Sequence, residues 1–315
     1  MDIKEYAEKV RDKIVTLRDD LDPDFVTKHT VNDNEELLGI RFAKKNDNNM
    51  NTPIPCIYVN YYYNNDIDID ETVKDILNTY ERSEKETAKV LGSFNINDIE
   101  DYDLIQNKIF MKLINKSKNE PLLNDTIYKE FGDLVLIPYI LIDGEEDYTS
   151  YVRIPKRLVG QWGKEEEEIL ENAYYNTFDL YPCYMEPMVN IMNKMLEKLN
   201  VDDEIKELMQ EDSIMYMCSN NTLMNGAFYL TSKDALNKLC NKIGSSIISI
   251  IPSSRHEIIA LPYIENEIND TLGFITEVNC KELMPEDVLT DNLYKYNSET
   301  ETLTDAKNNV IEFPF

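Results

Sequence analysis

The sequence predicts an α+β protein with mainly antiparallel sheets, and three observations lead to that class. Stretches with apolar residues at helical spacing alternate with short β-branched or aromatic runs of strand length. The strand-length runs come in adjacent pairs separated by turn residues, the pattern of hairpins rather than of crossover connections. The order helix–strand–strand–helix also recurs along the chain, which suggests two or three small sheet-and-helix lobes.

The elements follow in order. Residues 2–17 place Ile3, Tyr6, Ala7, Val10, Ile14 and Leu17 on one helical stripe, with Asp2 and Glu5 spaced as a capping box. Residues 36–43 and 54–61 read as strands around an Asn-rich loop over 44–53. Asp68 caps a second helix running towards residue 88, with Val73, Ile76, Leu77 and Tyr80 inward. The order then returns, with an amphipathic helix over 104–114 and strands over 133–142 and 148–154 around a turn at Asp143-Gly144. A helix over 163–176 follows, and its first turn carries Glu165 to Glu168, where the helix dipole favours negative charge.

The third pass sets a helix over 187–199 before strands over 214–219 and 227–231. Ser232 then caps a helix that stops at Gly244. A hairpin over 247–251 and 257–261 follows. Its continuous Ile run predicts a strand buried on both faces, with Ser253 and Ser254 exposed at the tip. A helix over 264–278 leads to Pro285 in a first helical turn. Residues 298–309 are polar and read as loosely held, and 310–315 as a late strand. The expected lobes are 1–100, 101–211 and 212–315, the last carrying the turn from Pro252 to Glu257.

Charge narrows the partners. The chain has 60 acidic against 32 basic residues, a formal net charge of −28. Such a surface repels phosphate backbones and anionic membranes, so neither nucleic acid nor a membrane is expected as a partner. A basic protein, or a small polar ligand, fits better. The amino-terminal residues lack the apolar run of an export signal, and the longest apolar stretches fall short of the ~20 residues of a membrane helix. The five cysteines (Cys56, Cys183, Cys218, Cys240, Cys280) are an odd, scattered set without a CxxC pair. They predict a reducing, cytoplasmic setting, with all thiols free and at least three buried.

Few constellations carry chemistry. Ser253, Ser254, His256 and Glu257 form the sharpest cluster, in which a serine beside an imidazole is a nucleophile candidate with Glu257 to orient the ring. Adjacency in sequence argues against a triad, since His256 and Glu257 would point to opposite faces of a strand. A polar turn with self-capping hydroxyls is the alternative. Asn220, Asn225 and Arg255 are candidates for ligand or partner contacts, and so is Tyr62 within the Tyr61-Tyr62-Tyr63 run. Only His29 and His256 are histidines, and the acidic loop around Asp66, Asp68 and Asp70 lacks the glycine and closing glutamate of a calcium loop. No metal is expected. Neither GxGxxG nor GxxxxGK[ST] occurs among only 9 glycines, so no cofactor is expected either.

Several blocks carry a family resemblance. They include Ile57-Tyr58-Val59-Asn60, Lys112-Leu113-Ile114-Asn115, Gly132-Asp133-Leu134, Gln161-Trp162-Gly163, Asn176-Thr177, Glu277-Val278-Asn279 and Val288-Leu289-Thr290-Asp291. More specific are Met215 to Asn220, Asn225-Gly226-Ala227 and the Pro-Ser-Ser-x-His-Glu block over 252–257. Together they resemble an uncharacterised bacterial family known only as a domain of unknown function, along nearly the whole chain. The resemblance implies a cytosolic protein of low-GC anaerobic bacteria and brings no activity or catalytic residue with it. A binding or adaptor protein with an acidic surface and a pocket or groove near the turn from Pro252 to Glu257 is therefore expected ahead of catalysis, one version being a decoy or inhibitor of a basic or nucleic-acid-binding protein. The alternative is a small hydrolase using Ser253 or Ser254 with His256.

Overall fold

The computed structural model describes residues 1–29, 31–32, 36–45, 55–93, 96–145, 148–198 and 215–315. The fold is α+β with antiparallel sheets, as the sequence predicts. The chain divides into two compact units, one of residues 1–30, 34–105 and 141–151, the other of 31–33, 106–140 and 152–315. Two or three lobes are expected; of the stretch expected as the middle lobe, residues 106–140 and 152–198 lie with the carboxy-terminal stretch, whereas 101–105, 141–145 and 148–151 lie with the first, and the boundary expected at Asp212 lies outside the described residues.

In the first unit, α1 (Ile3–Leu17) starts at Asp2, whose carboxylate accepts the Glu5 N–H at 2.8 Å. The box is only half formed, because the Glu5 side chain accepts from Lys9 instead. Strands β1 (Leu21–His29), β2 (Glu36–Lys44) and β3 (Cys56–Tyr58) pair antiparallel in that order. The sequence analysis assigns nothing to residues 21–29, and β1 carries Pro23. As an edge strand it tolerates a residue without an N–H. The strand expected over 54–61 stops early, and Asn60–Asn64 turns into the short helix α2. Helix α3 (Ile69–Ser93) packs on α1, and Tyr6, Val10, Ile14, Ile40, Phe42, Val73, Ile76 and Tyr80 share one core. The Tyr6 hydroxyl inside it donates to the Ile67 carbonyl at 2.8 Å and bonds Thr72 Oγ1 at 2.5 Å. Most of the loop expected over 44–53 lies outside the described residues.

The second unit corrects the helix expected over 104–114. After the short α4 (Tyr102–Ile105), which the contacts place with the first unit, Ile109–Asn115 is strand β4, buried along its whole length. A short, mostly apolar stretch carries too little period to separate a helix from a buried strand in sequence. β6 (Leu134–Glu145) pairs with β4, with β5 (Lys129–Phe131) and with β7 (Tyr148–Arg153). The short helices α5 (Glu120–Leu123) and α6 (Lys156–Trp162) flank this sheet in sequence, and Gly163 ends α6 in the left-handed conformation. α7 (Glu166–Leu180) lies on β4, where the Met111 N–H donates to Thr177 Oγ1 at 2.9 Å.

The larger sheet has seven antiparallel strands: β14 (Val310–Ile311), β13 (Thr302–Asp305), β12 (Tyr294–Asn297), β10 (Ile247–Ile251), β11 (Ile258–Pro262), β9 (Tyr216–Asn220) and β8 (Cys183–Pro187), in that spatial order. Helix α8 (Met188–Lys198) follows β8, α9 (Lys233–Ile243) runs from the Ser232 cap to Gly244, and α10 (Ile268–Lys281) follows β11. β10 lies between β11 and β12 with Ile248 and Ile250 fully buried, as the Ile run predicts. Two further readings are corrected. Residues 226–231 form a buried 3-10 helix rather than a strand, and 298–309 is ordered as a hairpin. The Asp305 carboxylate there accepts the backbone N–H groups of Lys307 and Asn309, so the polar residues build a turn rather than a loose tail. No helix among the described residues is long and apolar enough to cross a membrane.

Ile250→Ala should cost about 2–5 kcal/mol in denaturant unfolding, because β10 cannot collapse around the lost volume. Val310→Ala, on a terminal edge strand at 67% exposure, should stay within about 0.5 kcal/mol.

Candidate functional site

The turn after β10 is braced on every side. Ser254 is 4% exposed, which corrects the expectation of an exposed tip. Its Oγ accepts the His256 N–H at 2.9 Å and donates to Glu257 Oε1 at 2.9 Å. The His256 carbonyl accepts from Ser219 Oγ at 2.7 Å and from the Gly226 N–H at 2.9 Å. Gly226 is required by this approach, since a Cβ there would sit 2.6 Å from the Asn220 nitrogen and 2.7 Å from the His256 oxygen.

The His256 ring is 17% exposed and held at both nitrogens. Nδ1 accepts the Asn225 N–H at 3.2 Å, and Nε2 lies 3.2 Å from Asp287 Oδ1 and 3.3 Å from Arg255 Nε. Asp287 also accepts from Arg255 Nε at 2.7 Å, and its carbonyl accepts the Arg255 N–H at 2.8 Å. Among the described residues neither ring nitrogen has a serine oxygen as hydrogen-bond partner. A dyad of Ser253 or Ser254 with His256 is not formed, and Glu257 is turned to Ser254 rather than to the ring.

Asn220 is buried and locked. Its Oδ1 accepts from the Thr222 N–H and hydroxyl and from the Met224 N–H, while Nδ2 donates to the Met224 carbonyl at 2.7 Å. The loop it folds holds two left-handed residues, Leu223 at φ 56° and Asn225 at φ 60°. Asparagine takes that conformation readily, and leucine does so at a cost. The side chains of Leu223 and Met224 are each 51% exposed at the loop tip.

Asn220, Asn225, Ser254, Arg255, His256 and Glu257 are therefore gathered in one place, with Ser253 half-buried in the same turn. Tyr62 does not join them as an exposed contact. It is buried in the core of the first unit, where its hydroxyl donates to Asp75 at 2.7 Å, and burial raises its pKa. Its neighbour Tyr61 is the exposed ring. Asp287 is missing from the sequence reading because nothing local marks an aspartate in a short 3-10 turn as a partner for a distant histidine.

Lys112 is the second omission, and it had a signal: a lysine inside the run from Ile109 to Ile114. It is 5% exposed, with Nζ 4.6 Å from the centroid of the Tyr139 ring. Burial, and then the positive charge of Arg255, pull its pKa down to about 6. No group of three or more histidine, cysteine or acidic side chains able to hold a metal occurs among the described residues.

A family profile matches residues 3–298 and so takes in every part of this site. The chain belongs to DUF5688, a family of unknown function. No curated protein and no solved structure matches the chain. For DUF5688 the site must accordingly be read from its own geometry.

Two measurements test that reading. His256→Ala should lower stability by about 1–3 kcal/mol, since the Asn225 N–H and Asp287 each lose a partner in a half-buried site. An unchanged melting midpoint would show that the ring is not structural. For Lys112, the unfolded side chain titrates near 10.4 and the folded one at about 6. Above both values the two states are neutral, and as pH falls between them the unfolded chain binds the proton first. The parent should therefore lose stability relative to Lys112→Met from about pH 10 down to about pH 6, at no more than about 1.4 kcal/mol per pH unit, and the difference should level off below that. Denaturant titrations across pH giving parallel curves for the two proteins would contradict it.

Proposed function

We propose that this protein is a binding or adaptor protein whose acidic exterior attracts a basic polypeptide, with the loop from Asn220 to Asn225 as its contact. The observation that carries the reading is Leu223, an exposed apolar side chain on a left-handed backbone. A buried asparagine holds that backbone in place through its hydrogen bonds to Thr222 and Met224. Strain of this kind persists where the surrounding structure over-determines it, and Leu223 with Met224 offers a small apolar anchor beside polar groups.

Charge supports the same reading. Many surface cations already lie against acids, among them Lys9–Glu5, Arg18–Asp20, Lys116–Glu130, Lys129–Glu167, Lys164–Glu168 and Lys281–Glu277. With 60 acidic against 32 basic residues, a large acidic excess is left to face solvent and steer a basic partner. An inhibitory or decoy role towards a nucleic-acid-binding protein is one form this takes, and a cytoplasmic setting accords with the free thiols. Nothing in the arrangement of Ser253, Ser254 and His256 favours hydrolysis.

The test is capture from a native-type lysate with the full chain as bait, beside a Leu223→Ser/Met224→Ser double variant. The parent should retain a basic polypeptide, less of it as salt rises, and the folded double variant should lose it. Equal retention by both baits, recovery of an acidic partner, or recovery of none would count against the proposal.

A further inference from the structure

Two sulfurs meet at the end of the large sheet. Cys183 lies on β8 opposite Asn220, and Cys218 lies on β9 opposite Met185. They are thus two residues out of register on neighbouring antiparallel strands, and residues so placed share a sheet face. Their Sγ atoms are 3.7 Å apart. Cys183 is exposed and Cys218 is fully buried, so the pair has one end in solvent and one in the core. With Cys240 also buried, Cys56 half-buried and Cys280 exposed, only two cysteines are buried where at least three are expected.

We propose that Cys183 and Cys218 form a hydroperoxide-reactive dithiol site, with Cys183 as the attacking thiol and Cys218 as the resolving one. In the first step the Cys183 thiolate attacks the peroxide, an S–O bond forms and the O–O bond breaks. With one proton taken up, the products are a sulfenic acid and an alcohol, or water when the oxidant is hydrogen peroxide. In the second step the Cys218 thiol attacks the sulfenic sulfur, the S–S bond forms and water leaves. The two thiols lose two electrons and the peroxide gains them.

The surroundings suit both roles. The sulfur–sulfur hydrogen bond, in which either atom can be the donor, lowers the pKa of the exposed Cys183 thiol, and the positive charge of Lys238 lowers it further. The same bond, together with burial, raises the pKa of Cys218 and keeps it protonated until the sulfenic acid forms. The strands are already paired on both sides of the sulfurs, with the Asn221 N–H donating to the Pro182 carbonyl at 2.9 Å. Closing 3.7 Å to the bond length of about 2.0 Å asks for side-chain rotation and for the two diagonal strand positions to draw together, since diagonal neighbours in a regular sheet lie about 7–8 Å apart. Cys280 is exposed too, but no second sulfur bonds to it among the described residues, and it serves as the internal comparison.

The fully reduced chain, treated with hydrogen peroxide, should lose the mass of two hydrogens. Peptide mapping without reductant should then join the Cys183 and Cys218 peptides, and dithiothreitol should separate them. In Cys218→Ser the reaction should stop at Cys183 as a sulfenic acid trapped by dimedone, roughly tenfold ahead of any adduct at Cys280. Cys183→Ser should form no intrachain disulfide. The parent mapping stands even if a variant at the buried position fails to fold. A disulfide joining other cysteines, a link only between chains, or dimedone labelling of Cys280 ahead of Cys183 would overturn the proposal.

Discussion

The loop over residues 285–293 is held by hydrogen bonds from side chains far apart in sequence, and the candidate site depends on it. Asn32 Nδ2 donates to the Glu286 carbonyl, Asn115 Nδ2 to that of Leu289 and Asn279 Nδ2 to that of Thr290. Asp133 accepts from the Thr290 hydroxyl at 2.5 Å and the Tyr294 hydroxyl at 2.6 Å. Asn32 is itself fixed, its Oδ1 accepting from the Asn115 N–H and from Asn119 Nδ2. A buried backbone carbonyl without water needs a protein donor, so the loop is as fixed as the strands that supply them. Asp287 belongs to this loop, and it places the carboxylate that holds Arg255 and His256.

This arrangement explains why the histidine turn reads so differently in space. Hydrolysis would need a hydroxyl aimed at an unoccupied imidazole nitrogen. Here a backbone N–H takes one nitrogen and a carboxylate faces the other, while the nearest buried serine serves its own turn. The polar groups are spent on fixing backbone, which leaves the strained loop tip at Leu223 and Met224 as the outward feature. The same strand, β9, carries Cys218 on its buried side, so the Leu223–Met224 loop and the two sulfurs share one support.

Elements with a clear period or a local cap were legible in the sequence. α1 with its Asp2 cap, α3, the Ser232-to-Gly244 helix and the β10–β11 hairpin follow from spacing and turn chemistry that a few neighbouring residues decide. The gathering of Asn220, Asn225, Arg255 and His256 was partly legible, because each sits in a short turn next to a strand. The blocks containing Asn115, Asp133, Asn279 and Thr290 carried the family resemblance as separate fragments, and they meet on one loop in the structure.

What the sequence alone determined was the α+β class, the antiparallel pairing and the acidic exterior, since periodicity and composition are local or additive properties. Tertiary structure decided the form of short, mostly apolar stretches, where 109–115 became a strand and 226–231 a 3-10 helix through burial on all sides. It also decided the partners of His256, the buried lysine at 112 and the meeting of Cys183 with Cys218. Each of these depends on atoms brought together from distant parts of the chain, and neither pattern nor propensity encodes a distance between them.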